Sequence, residues 1–198
     1  MPKTLRLFRC AVLAVVSILV SVHTVHAQGF IAPSLGVTLA NNSGEGRADF
    51  GAAFGWVAPR DPIGVELDLV YAPSFFGGAG VYGENSVTTV MGNVIFAGVS
   101  EGRYGYGRRR GSFVRPYVSG GAGVMHEVVT TAIAGQQVAN NDIGVNLGVG
   151  VMAASRNSVG VRGDLRYYRN LVNNAAATNV DFGAFHFWRA SIGLLIGF

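Results

Sequence analysis

Ionisable side chains recur at every second position in several parts of this chain. Glu66 and Asp68 are two residues apart, and Arg162, Asp164 and Arg166 repeat that spacing. Because alternate residues of a β-strand point to the same side of a sheet, each set would place its charges on one face. Carboxylates and guanidinium groups gathered in this way can either form a polar path for ions or neutralise one another as buried ion pairs.

The predicted charge network contains four arginines and three acids on the inward faces of different strands, and this near balance favours mutual neutralisation over an open ion path. Asp49 and Glu127 are predicted on the same faces, nearer the strand ends. An ion path remains the alternative. The seven residues of the network are Glu66, Asp68, Arg115, Arg162, Asp164, Arg166 and Arg189.

After residue 27 the chain contains two histidines, His126 and His186, each predicted on an outward face near one rim. A hydrolase at that rim would need a histidine, a serine and an acid together. Glu127 would point away from His126 in a strand, and no serine has evident spacing. His186 lies in the aromatic stretch 185–188, which is typical of a membrane-interface belt. We therefore predict no catalytic residues.

The segment 78–83 has the sequence GAGVYG, which matches the glycine spacing of a dinucleotide-binding fingerprint. That motif requires a strand before it and a helix after it, and the surrounding sequence predicts neither. The two histidines also offer no recognisable metal-ligand spacing, and the single cysteine, Cys10, lies at the N-terminus. We expect no cofactor and no metal ion.

The elements that would position these charges are strands, because apolar residues alternate with small or charged ones at period two. Most of these segments have the ~9 to 11 residues that a tilted strand needs to cross a bilayer. After residue 28, no stretch has 18 successive apolar residues, so membrane-spanning helices are not predicted. The eight predicted strands are 29–40, 47–57, 63–72, 87–98, 113–129, 142–153, 159–168 and 182–198.

The two faces of these strands differ in a way that predicts which face meets lipid. In segment 63–72 the large aliphatic residues oppose Gly64, Glu66 and Asp68, so glycine shares a face with the charges. Glycine fits the narrow lumen of a small barrel, and the aliphatic face then belongs against lipid. Backbone groups in hydrocarbon must all be paired, which requires a closed sheet. The fold class predicted is all-β, an eight-stranded antiparallel up-and-down transmembrane β-barrel with both termini on one side.

The N-terminal segment has the features of a secretory signal. Lys3, Arg6 and Arg9 precede an apolar run at 11–22, and a small residue, Ala27, stands at the expected cleavage point. We predict a cleaved signal peptide over 1–27 and a barrel domain over 28–198. Cleavage would leave 12 basic and 11 acidic residues, a net charge of +1. This balance gives no support for a nucleic-acid partner.

The C-terminal segment alternates apolar residues on one face and ends in an aromatic side chain. This pattern, with segments 63–71, 115–124 and 160–168, resembles the family of OmpA/OmpX-like eight-stranded outer-membrane barrels. The resemblance implies an integral outer-membrane location with periplasmic termini. It also implies that the terminal residues are the signal that the barrel-assembly machinery reads. These residues are Ala190, Ile192, Leu194, Ile196 and Phe198.

The family that this sequence resembles shares a fold and a location, not one activity. We expect a non-enzymatic protein that supports envelope integrity or surface contacts through its extracellular loops. The expected partners are outer-membrane lipid, the barrel-assembly machinery and extracellular ligands of the loops, with no nucleic acid. Two alternatives stay open, namely a lipid-modifying enzyme at the rim and a small pore.

Overall fold

A computed structural model describes the chain in eight ranges: 28–40, 46–57, 62–76, 85–98, 113–130, 137–154, 159–172 and 186–198. Each range contains one strand. In chain order these are β1 (Gln28–Ala40), β2 (Gly46–Val57), β3 (Ile63–Pro73), β4 (Asn85–Ala97), β5 (Phe113–Thr130), β6 (Gln137–Ala154), β7 (Val159–Val172) and β8 (His186–Gly197).

Each strand pairs in antiparallel fashion with the next, and β8 pairs with β1 to close the sheet into a barrel. Two backbone hydrogen bonds seal the junction, because Gly29 N donates to Phe198 O at 3.1 Å and Phe198 N donates to Gly29 O at 2.9 Å. The predicted eight-stranded antiparallel barrel is confirmed. We call the end of the barrel that holds both of these residues the inner end, and the opposite end the outer end.

The strand boundaries differ from the sequence prediction at the outer end. β6 begins at Gln137 rather than at residue 142, and β7 continues to Val172 rather than ending at residue 168. The prediction stopped where apolar alternation stops, but backbone pairing does not require an apolar face once a strand has passed the lipid-facing belt. The predicted start of the last strand, 182–185, lies outside the described residues.

The two faces of the barrel wall have opposite character. Along β3 exposed and buried residues alternate almost without exception, with Ile63, Val65 and Leu67 outside and Glu66 and Asp68 inside. Leu147 and Ile192 are 67% and 66% exposed on the outer face, whereas Arg166 is 1% exposed in the lumen. In water such an apolar exterior would be strongly unfavourable, and a bilayer removes that cost. Within the described ranges there is no helix that is long and apolar enough to cross a membrane.

Candidate functional site: the lumen of the barrel

Two strands on opposite sides of the barrel supply the centre of the lumen. Glu66 on β3 pairs with Arg162 and Arg166 on β7, and the Arg166 Nη2 to Glu66 Oε1 distance is 2.7 Å. Arg166 also contacts Asp68 at 3.2 Å and Asp164 at 2.8 Å. Arg162 contacts Asp164 at 3.3 Å. We call these five residues the ion-pair layer.

Hydroxyl and amide groups satisfy further polar atoms of the ion-pair layer. Tyr117 accepts a hydrogen bond from Arg162 Nε at 2.7 Å and donates one to Asp164. Tyr168 donates to Asp68 Oδ2 at 2.9 Å. Asn93 Nδ2 donates to Glu66 Oε1 at 3.2 Å. Buried charges are stabilised in this way only when their lone pairs and protons are used, which these contacts achieve.

A second ion pair lies beside this layer, on the side of the barrel formed by β1, β2 and β8. Arg189 Nε is 2.7 Å from Asp49 Oδ1, and Arg189 Nη2 donates to Ser34 Oγ at 3.0 Å. Thr38 Oγ1 donates to Asp49 Oδ2 at 2.9 Å. Arg189 therefore neutralises Asp49, a residue that the sequence placed nearer the strand ends.

Little free volume remains among these side chains. In the cavity lined by residues that include Asp68, Arg166 and Arg189, the centre of a water molecule can move within about 10 Å³. That is room for about one water molecule. The wall is correspondingly crowded, because a Cβ atom at Gly148 would lie 2.5 Å from Arg166 Cγ. Glycine on the inward face thus makes room for the arginine.

Buried apolar side chains lie in the lumen on both sides of the charges. The inner apolar layer consists of Phe30, Ala32, Ala53, Val57, Ile95, Ala97, Tyr117, Met152, Ala154 and Leu195. The outer apolar layer consists of Ala72, Phe75, Val87, Met91, Met125, Tyr168 and Phe187, with Phe76 packed against it.

The outer apolar layer depends on a turn that enters the lumen. After β3, Ser74 has a positive φ of 52° and its amide donates to Asn85 O at 2.7 Å. Phe75 is then 1% exposed, with its ring centroid 5.2 Å from that of Phe187. Phe187 in turn stacks on Tyr168 at 4.7 Å. The Phe75 ring, which comes from a connection, thus adds to the outer apolar layer that strand residues form.

The remaining predicted lumen charges occupy the two ends. Arg115 is 7% exposed near the inner end, where its Nε donates to Gly98 O at 3.0 Å. Glu127 is 1% exposed near the outer end, and its carboxylate oxygens have no hydrogen-bond partner among the described residues. Asp142 is also buried there and accepts hydrogen bonds from Asn140 at 2.9 Å and Asn170 at 3.3 Å.

Sequence reasoning missed several lumen residues for two different reasons. Tyr117 and Asp142 share strand parity with predicted inward residues, so alternation alone could have found them. Phe75 lies in a predicted connection, 73–86, where no periodic pattern indicates that a side chain turns inward. Its position follows from the turn geometry and is visible only in the structure.

The two histidines lie on outward faces of separate strands. His126 Nδ1 is 2.7 Å from Asn141 Oδ1, and the His186 ring centroid is 5.9 Å from that of Tyr167. β6 and β7 separate their strands in the sheet. The ranges that the structure describes hold no group of three or more His, Cys, Asp or Glu side chains able to hold a metal ion. The fingerprint-like segment 78–83 lies outside those ranges.

No protein-family model and no curated protein sequence matches this chain. Similar solved structures include Neisserial surface protein A, with 13% identity over 87% of this chain and 97% of that chain and a TM-score of 0.58. A major outer membrane protein from Thermus thermophilus has 16% identity over 87% and 100% of the two chains, with a TM-score of 0.53. The outer membrane enzyme PagL has 12% identity over 84% and 98%, with a TM-score of 0.46.

Identities this low transfer no activity, ligand or partner from these proteins to this one. The first two structures, together with the closed antiparallel sheet and its apolar exterior, confirm the predicted resemblance at the level of the fold. The chain has the eight-stranded β-barrel fold of outer-membrane proteins.

Proposed function

We propose that this chain is a non-enzymatic, integral outer-membrane protein with both termini in the periplasm, and that residues 1–27 are its cleaved signal peptide. Its role is to support envelope integrity or surface contacts through the connections at the outer end. The apolar exterior and the closed hydrogen bonding of the sheet support an integral location. The proposed role rests on one observation, namely that an outer apolar layer, the ion-pair layer and an inner apolar layer fill the lumen.

The filled lumen favours a structural role over a pore. An ion crossing the barrel would meet the outer apolar layer, then the ion-pair layer, then the inner apolar layer. The hydroxyls of Tyr117 and Tyr168 already hydrogen-bond to the ion-pair layer, and the other side chains of the two apolar layers have no oxygen or nitrogen atoms to replace an ion's hydration shell. Passage through the middle would break contacts such as that between Arg166 and Glu66. An eight-stranded barrel is about wide enough for side chains alone.

The separation of the histidines supports the non-enzymatic part of the proposal. A lipid hydrolase at the rim would need a base within hydrogen-bond reach of a nucleophile and oriented by a third group. The described partner of His126 is an amide oxygen of Asn141, which is not a nucleophile.

Single-channel recording tests the sealed lumen. Purified protein inserted into planar bilayers should give no steady conductance above that of the bare membrane, because both apolar layers must open before an ion can pass. Protein recovered from parallel vesicles should migrate as a folded, heat-sensitive barrel in SDS gels, which controls for failed insertion. Steady single-channel currents from protein that passes this control would overturn the proposal in favour of a small pore.

A further inference from the structure

One charged side chain does not follow the rule that charges face the lumen. Among the described residues, every aspartate, glutamate and arginine lies on the inward face of its strand except Arg169 on β7. Arg169 is exposed, while its neighbours Tyr168 and Asn170 are buried in the lumen. No described carboxylate pairs with it. A charge on the lipid-facing surface is costly at the bilayer midplane and cheap near the headgroups, so its position along the strand is informative.

Arg169 lies just beyond a pair of outward aromatic residues on the β7–β8 surface. In the β7–β8 register Arg169 lies opposite His186, and Tyr167 lies opposite Trp188. The Tyr167 and Trp188 ring centroids are 5.1 Å apart, and Trp188 is 46% exposed on the outer surface. Outward Tyr and Trp residues mark the interfacial belts of membrane barrels. Arg169 and His186 each lie two residues farther toward the outer end, on β7 and β8 respectively.

We propose that Arg169 is the centre of a binding site for the phosphate of an anionic lipid headgroup in the leaflet at the outer end. The Arg169 guanidinium offers paired donors that match phosphate oxygens. Tyr167 and Trp188 pack against the part of the lipid nearest its headgroup. The site rests on the proposed function, because it exists only if this surface faces lipid.

The test uses Trp188 as a built-in reporter. The chain has two tryptophans, and Trp56 lies outward near the inner end, so Trp56→Phe leaves Trp188 as the only one. The full mature chain carrying this change is reconstituted in phosphatidylcholine containing a small fraction of lipid with brominated acyl chains. Brominated phosphatidylglycerol should quench Trp188 more than brominated phosphatidylcholine does, corresponding to a roughly fivefold preference at the site. Arg169→Gln should bring the ratio of quenching by the two brominated lipids close to one.

His126→Gln is the matched control, because His126 also faces outward near the outer end but on β5. It should leave the preference for phosphatidylglycerol unchanged. Inorganic phosphate at millimolar concentration, at matched ionic strength, should not displace the lipid. Equal quenching by the two lipids, a preference that survives Arg169→Gln, or displacement by free phosphate would each overturn the inference. If the barrel is folded in these vesicles, such a result leaves the proposed function standing, whereas failure to insert counts against the proposed function itself.

Discussion

Replacing Arg166 with methionine should lower the free energy of unfolding of the barrel by about 3–5 kcal/mol. Arg166 contacts three carboxylates, those of Glu66, Asp68 and Asp164, and it is 1% exposed. Methionine fills similar space but leaves these acids buried with much less compensating charge. Urea unfolding of protein refolded in detergent or lipid vesicles, followed by the loss of heat-sensitive gel migration, measures the change.

Two further variants separate charge compensation from simple loss of an arginine. Arg169→Met removes an exposed arginine three residues along the same strand and should change stability by no more than about 0.5 kcal/mol. Asp68→Asn combined with Arg166→Met should recover about 1 kcal/mol or more, because it removes one of the acids left without compensation. If Arg166→Met were as mild as Arg169→Met, the ion-pair layer would not be a stabilising element of the fold.

Deletion of Phe198 should cause a severalfold loss of folded protein from the membrane while export continues. The Phe198 side chain is 75% exposed, so its removal costs the folded barrel little buried area. The deletion also removes the two backbone hydrogen bonds to Gly29, each contributing about 1 kcal/mol. A stability loss of about 2 kcal/mol can itself lower the abundance of a protein severalfold, so the deletion alone does not separate this cause from loss of the assembly signal. Quantification of heat-sensitive protein in membrane fractions, and of unfolded protein in the periplasm, measures the effect.

Substitutions distinguish recognition of the terminal aromatic residue from loss of barrel closure. Phe198→Ala keeps the backbone pairing with Gly29 and should still reduce the folded protein. Phe96→Ala removes a similarly exposed outward phenylalanine near the inner end of β4 and should not. Normal levels of folded Phe198→Ala protein would contradict our proposal that the terminal residues are the assembly signal.

The fold could be predicted because it is encoded locally and repeatedly. Each strand carries its own period-two pattern, and glycine and charge fall on the same face in strand after strand, as at Gly64, Glu66 and Asp68. Errors were confined to the outer strand ends. There Asn140 and Asn141 interrupt the apolar pattern, while backbone pairing to β5 continues. Pairing is a property of the backbone, so side-chain pattern marks the lipid belt better than it marks the strand.

The lumen was predictable in composition but not in arrangement. Alternation indicates that Glu66 and Arg166 both face inward, yet their contact spans 100 residues of sequence and follows from the closure and stagger of the sheet. The same closure assigns Arg189 to Asp49 rather than to the central acids. Phe75 had no periodic signal at all, because a turn rather than a strand directs it into the lumen.

The sidedness of the wall is the claim on which the rest of the account depends, and lipid photo-crosslinking of the intact barrel tests it most directly. Phospholipid with a photoreactive diazirine in its acyl chain is incorporated around the folded protein, and adducts are mapped by mass spectrometry. We expect adducts at outward positions such as Leu147, Leu165 and Ile192, and none on Glu66, Asp68 or Arg166. Adducts on these luminal charges, with the aliphatic positions unlabelled, would contradict it.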